Sequence, residues 1–209
     1  MADHIFTRNA ARARWAGVFY IAIIVLGITG EAVLRPMAAD TGDAAILRLS
    51  ILSDTGMALA DVALAVLLFA LLRQIDEMLA LAAMVLRLMQ AAVIGANLLV
   101  LVAAAHLMAT GQHAGAQLMQ HAVGYDIGLV FFGVNSLIMA WLLVRAGVPR
   151  LIGWGVGAAG VVYLLGSVTR LVAPDLNAAM QPAYLVPLLA ESALALWLVT
   201  RRGGTGQPS

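Results

Sequence analysis

The sequence predicts an all-α, polytopic membrane helix bundle with six transmembrane helices and cytoplasmic N- and C-termini. Three observations carry that prediction: the composition, the length of the apolar runs and the placement of the arginines. Of 209 residues, 63% are hydrophobic and 11% are charged, with a mean hydropathy of +0.96. A soluble domain is roughly 45–50% apolar and about 25% charged, so this chain lacks the polar surface to clothe a water-exposed globule. Several apolar runs exceed the ~18 residues that suffice to cross a bilayer. They are continuous rather than alternating, which fits helices that satisfy their own backbone and does not fit barrel strands.

The elements follow in order. Residues 1–14 form a polar cytoplasmic arm carrying Arg8, Arg12 and Arg14. The first span is expected over residues 15–34. A basic start before an apolar run is also the pattern of a signal peptide. This run is long for one, and Glu31 and Arg35 stand where a small-residue cleavage site belongs, so the span is read as retained. Residues 35–48 read as an outer loop around Pro36 and Gly42, whose end could lie in the interface. The second span is expected over 50–72, then a polar turn from Arg73 to Glu77. The third covers 79–107 and is long enough to tilt or to project from the membrane. An outer loop over 108–120 leads to the fourth span, 121–144. A basic turn holding Arg145, Pro149 and Arg150 precedes the fifth, 151–172. Pro174, Asp175 and Asn177 open the last outer loop, and the sixth span runs over 183–199. Residues 15–199 thus form the six-helix transmembrane domain, followed by a polar tail, 200–209, expected to be disordered.

The arginines orient this bundle. All twelve basic residues are arginine. Eight fall on one side: Arg8, Arg12, Arg14, Arg73, Arg145, Arg150, Arg201 and Arg202. Only Arg35 and Arg48 fall in the loops opposite. Basic residues favour the cytoplasmic side, so both termini are placed there. Six spans put the two halves in opposite senses, as in inverted-repeat transporters. The halves show no sequence match, so a single bundle is the better reading.

Composition also excludes chemistry. With no cysteine there are no disulfides, thiolate metal sites or cysteine nucleophiles. With no lysine there is no retinal or pyridoxal Schiff base. A net charge of +1 gives no reason to expect nucleic acid. Ser136 and Ser167 lack a nucleophile elbow. Gly153-x-x-x-Gly157 and Gly155-x-x-x-Ala159 lie inside a span and read as small-residue packing faces. The ten methionines read as adaptable core filling.

The charges within the spans are the best functional pointer, because a charge in lipid is expensive. Asp61 lies seven residues, about 10 Å, beyond Asp54 and on the same helix face. Arg87 and Glu191 each lie eight residues, about 12 Å, inside their spans. Asp61, Arg87 and Glu191 could therefore meet near the midplane, with Asn97, Asn135 and Ser136 as further polar groups at depth. A second set nearer the outer face comprises Glu31, Asp54, His106, His121, Asp126 and Arg170, with Tyr125 and Tyr163 able to join. The alternatives are structural. Arg87 paired with Asp61 or Glu191 would fix helix register, and Glu31 and Arg170 would snorkel to the interface. His106, His121 and Asp126 could supply three N/O ligands to a metal, but lone histidines near a membrane surface are usually hydrated, so no metal and no cofactor is expected.

Short landmarks run through the chain: Arg14-Trp15-Ala16-Gly17-Val18-Phe19-Tyr20, Arg87-Leu88, Val148-Pro149-Arg150-Leu151-Ile152-Gly153, Ala190-Glu191-Ser192 and Leu196-Trp197-Leu198. In order and spacing the chain resembles the domain of unknown function 4386 family of small bacterial membrane proteins. Family members often have a fuller Pro-Arg-aromatic-Leu-Gly turn, and Ile152 stands where that pattern is looser. The resemblance implies a membrane location and about six helices, and supplies no activity. The expected partners are the lipid bilayer and a small-molecule ligand or a membrane protein. The leading function is small-molecule binding or transport at the polar intrahelical site. The alternatives are a structural or accessory subunit of a membrane complex and, more weakly, an intramembrane enzyme using His121 and Asp126.

Overall fold

A computed structural model describes residues 4–201. Among them are α1 (His4–Arg8), α2 (Ala10–Ile28), a π-helical segment (Thr29–Leu34), α3 (Arg35–Thr41), α4 (Ala44–Leu72), α5 (Glu77–Ala109), α6 (Gly115–Arg145), α7 (Arg150–Val172), α8 (Pro174–Met180), a 3-10 turn (Gln181–Tyr184) and α9 (Leu185–Val199). Six helical stretches are long and apolar enough to cross a membrane: Ala10–Thr41, the four helices α4 to α7, and Pro174–Val199. The disordered tail expected from residue 200 falls almost wholly outside the described residues.

The six spans close into a ring. Each packs on its sequence neighbour, α2 on α4, α4 on α5, α5 on α6, α6 on α7 and α7 on α9, and α9 returns to α2. Short connections favour such antiparallel neighbours. The exterior is apolar, with Leu59, Leu99, Leu151 and Val172 largely exposed on it. Small residues permit close helix approach inside. A Cβ on Gly160 of α7 would lie 2.7 Å from the Gly133 carbonyl oxygen of α6, so these two backbones touch. Gly153 and Gly157 face α6 as well, and Gly155 faces Ala190 of α9. Both expected small-residue faces are used within the chain.

The end carrying the termini is filled. Phe6 of α1 is buried edge-on to Trp197 at 4.9 Å, and joins Leu71, Leu72, Leu142, Leu143 and Leu198 in one apolar cluster. Arg8 Nη2 donates to Gln74 Oε1 at 2.7 Å, tying the chain start to the turn after α4. Apolar packing is thus continuous across this end.

The expected loops at the other end are shorter than the sequence indicated. Residues 35–48 are not a loop: only Gly42 and Asp43 lie outside helix. Pro36, expected within that loop, does not end the helix. Its missing N–H and its ring instead sit beside a π-turn, where the Arg35 N–H bonds the Gly30 carbonyl five residues back. The first helix therefore continues to Thr41. The Asp43 carboxylate accepts from Ala45 N at 2.7 Å and caps α4, which starts six residues earlier than expected. The 108–120 loop shrinks to residues 110–114 because α5 and α6 both extend into it. The last loop is itself helical, as α8 and the 3-10 turn, and is held by Asn177 Nδ2 donating to the Gly166 carbonyl at 2.8 Å.

Candidate functional site

Three charged groupings sit inside the ring. In the first, Arg87 Nε donates to Asp61 Oδ1 at 2.6 Å, joining α5 to α4. Both side chains are buried. The guanidinium is flanked by the rings of Tyr20 and Phe132, 5.1 and 4.9 Å from their centroids, so α2 and α6 supply its cation–π neighbours. Gln90, one turn after Arg87, sits against the same Asp61 carboxylate. A guanidinium with its charge matched by a carboxylate and its faces on aromatic rings is stable at this depth, where an unpaired one would not be.

Glu191 of α9 does not enter that ion pair. Its Oε1 accepts from the Tyr163 hydroxyl at 2.9 Å. Among the described residues no cationic side chain lies within ion-pair distance of it. The three midplane residues anticipated from helix depth thus comprise an ion pair and, beyond contact distance but within its field, an acid held by Tyr163.

The second grouping centres on Arg35. Its guanidinium pairs with Glu31 one turn back and with Asp54 of α4, and donates to Ser50 Oγ at 3.1 Å. Arg35 and Asp54 are buried, while 57% of the Glu31 side chain is exposed. Gly30 makes this approach possible: a Cβ there would lie 2.6 Å from Asp54 Oδ1. In the third grouping Arg170 of α7 pairs with Asp126 of α6; Asp126 is buried and Arg170 is partly exposed.

These groupings surround one cavity of about 390 Å³. Every span contributes to its wall: Gly27 and Glu31 from the first, Met57 and Asp61 from α4, Arg87 and Gln90 from α5, Tyr125, Asp126 and Phe132 from α6, Tyr163 and Arg170 from α7, and Tyr184, Pro187 and Glu191 from the last. Of the residues singled out by sequence, Asp61, Arg87, Glu191, Glu31, Asp126 and Arg170 share this wall, with Tyr125 and Tyr163. The deep and outer sets are therefore two parts of one space. Asp54 stands behind it on Arg35. His121 is buried but does not line it, and its main-chain oxygen accepts from Asn97 Nδ2 at 2.8 Å. His106 is exposed near the end of α5. Among the described residues no three His, Asp or Glu side chains converge with metal-ligand geometry, so His106, His121 and Asp126 do not form the set weighed above.

Sequence reasoning missed Arg35, Tyr20, Gln90 and Tyr184. Arg35 falls at the start of the outer loop expected over residues 35–48. The available signal was the Glu31-x-x-x-Arg35 spacing, which is an i,i+4 pair once the helix is allowed to continue. Tyr20, Gln90 and Tyr184 carry no signal beyond polarity within an apolar run.

Three of the five landmark segments meet at this site, through Tyr20 from the first, Arg87 from the third and Glu191 from the sixth span. A family model described as "Domain of unknown function (DUF4386)" matches residues 15–201. The chain belongs to the DUF4386 family. With six apolar helical spans, this DUF4386 member is a multi-pass protein of the cell membrane. No curated protein and no solved structure matches it.

Proposed function

We propose that this protein binds a small molecule within the membrane, in the cavity bounded by Asp61–Arg87, Glu191–Tyr163 and Asp126–Arg170. The observation that supports this reading is the cavity itself: about 390 Å³ of space among ionisable side chains drawn from all six spans. A bundle that used its buried charges only to set helix register would close over them, because empty space beside a charge loses both packing and solvation. Ligand pockets are typically ~300–1,000 Å³, largely apolar, with a few convergent polar groups. Met57, Leu129, Phe132, Pro187 and Leu188 supply the apolar part here. Movement of the ligand across the membrane would further require the Phe6, Leu71, Leu142 and Leu198 cluster at the terminus end to part.

The proposal includes an orientation. Both termini lie in the cytoplasm, with the cavity on the outer half. The arginine asymmetry supports this, and burial of Arg35 sharpens it, since among the described residues Arg48 is then the one arginine of the loop end that is exposed, Arg170 being only partly so and paired with Asp126. An accessory-subunit role gains nothing from the small-residue faces, which are occupied within the chain.

The chain has no cysteine, so single cysteines report accessibility without background. Ala32 and Ala122 line the cavity, whereas Leu59 faces outward. In right-side-out vesicles, a small membrane-impermeant thiol reagent is expected to label Ala32→Cys and Ala122→Cys and to spare Leu59→Cys. Cavity cysteines as unreactive as Leu59→Cys would remove the reading.

A further inference from the structure

The proposed ligand site has a sign. We infer that the cavity takes a lipophilic organic cation, with its ammonium head at Glu191 among the rings of Tyr163, Phe132 and Tyr184. This rests on the binding reading above and adds the ligand's chemical class.

The first argument is charge matching. Arg87 is matched by Asp61, and Arg170 by Asp126. Arg35 serves two carboxylates, Glu31 and Asp54. Glu191 hydrogen-bonds only a neutral phenol, and the one guanidinium that acts on it, Arg87, is already paired with Asp61, although just 6% of Glu191 is exposed. The space is therefore bordered by more carboxylates than guanidiniums, and the unmatched one is deep. An ionised carboxylate there attracts a cation strongly, because little water screens it.

The second argument is independent of formal charge. Gln90 Oε1 is buried without a hydrogen-bond partner, and Gln90 lines the same cavity. It is an orphan acceptor, suited to an N–H donor or to the positive face of an alkylammonium. The orphan donor nearby, Arg87 Nη2, belongs to a guanidinium already paired with Asp61 and flanked by two rings.

The third argument is the aromatic wall. Phe132 and Tyr163 stand 5.1 Å apart by ring centroid, and Tyr163 and Tyr184 6.2 Å apart. The rings are tilted to one another, and Phe132 already carries the Arg87 guanidinium on one face; aromatic rings next to a carboxylate hold alkylammonium groups through cation–π attraction and desolvate the ligand's apolar body at the same time. An anionic ligand would meet Glu191 and the negative faces of these rings.

Three probes of nearly one shape separate the possibilities: benzyltrimethylammonium, its uncharged carbon isostere neopentylbenzene, and the anion phenylmethanesulfonate. Binding is measured by titration calorimetry on the full chain in nanodiscs. Saturable binding of the cation is expected, weakened roughly tenfold in Glu191→Gln and retained in Glu191→Asp. Neopentylbenzene affinity should be the same in wild type and Glu191→Gln. If Glu191→Gln does not fold, Tyr184→Leu should still weaken the cation more than the isostere. Unchanged cation affinity in Glu191→Gln, equal effects of Tyr184→Leu on both probes, preference for the sulfonate, or absence of cation binding overturns the inference. The binding reading is judged separately: it survives such a result if the Ala32→Cys and Ala122→Cys positions are labelled, and falls with it if they are not.

Discussion

At the scale of single residues, the two buried arginines make opposite use of their partners. Arg87 has one carboxylate and two rings; Arg35 has two carboxylates and a hydroxyl. Removing either half of the Asp61–Arg87 pair strands a charge in a low-dielectric interior, which typically costs ~3–5 kcal/mol. Asp61→Asn and Arg87→Met are each expected to lower stability by about that amount in denaturant titration of the micellar protein. The double variant Asp61→Leu/Arg87→Met should recover most of it, because no charge is then left behind. Additive losses would mean the pair is not a coupled unit. The Arg35 group should be asymmetric. Arg35→Met strands buried Asp54 and should be as damaging as loss of Arg87. Glu31→Gln alters a largely exposed partner and should cost about 1 kcal/mol or less.

At the scale of elements, the π-turn and the glycine contacts determine what the helices present inward. The π-turn lets the first helix continue through Pro36 while Glu31 and Arg35 remain one turn apart, so that one partner of Arg35 lies on its own helix and the other on α4. Gly160 sets the separation of α7 from α6. Gly160→Val would drive its Cβ into the Gly133 carbonyl and Ser136 Cβ. The expected loss is ~1–3 kcal/mol, with splaying of the two helices. Gly95 in α5 has nothing within 4 Å of a would-be Cβ, so Gly95→Ala should be neutral or stabilising by up to about 1 kcal/mol. Thermal unfolding of the two variants side by side checks both, and equal destabilisation would contradict the close α6–α7 contact as the cause.

At the scale of the whole molecule, the ring is apolar outside, filled at the terminus end and hollow toward the loop end. This arrangement reverses the usual distribution: lipid solvates the exterior, and polar groups gather where they satisfy one another. The proposed orientation has a direct test at this scale. Gln74 lies in the turn between α4 and α5, and Gln112 between α5 and α6, both exposed. In intact cells stripped of their outer barrier, Gln112→Cys should react with an impermeant thiol reagent. Gln74→Cys should react only after permeabilisation. The reverse pattern would place both termini outside.

Much of this was legible in the sequence, for reasons tied to particular residues. Uninterrupted apolar runs have one stable form in lipid, so six helices follow from Trp15 to Val199 before any contact is known. Rise per residue placed Asp61, Arg87 and Glu191 at similar depth, because depth in a spanning helix is a property of one chain segment alone. What depth could not supply was rotation about each helix axis and the order of helices around the ring. Those decided that Arg87 takes Asp61 and leaves Glu191 to Tyr163, that Asp126 meets Arg170, and that His106 points away. They also turned two polar groups into one cavity. Pro36 misled in the same way: its local preference argued for a loop, while packing of Gly30 against Asp54 and pairing of Arg35 held the helix together. By itself the sequence determined the solvent and the number of spans, since both follow from local composition and length. Only the tertiary structure decided which charges are paired and which one is left facing open space, because pairing depends on the lateral packing of helices distant in sequence.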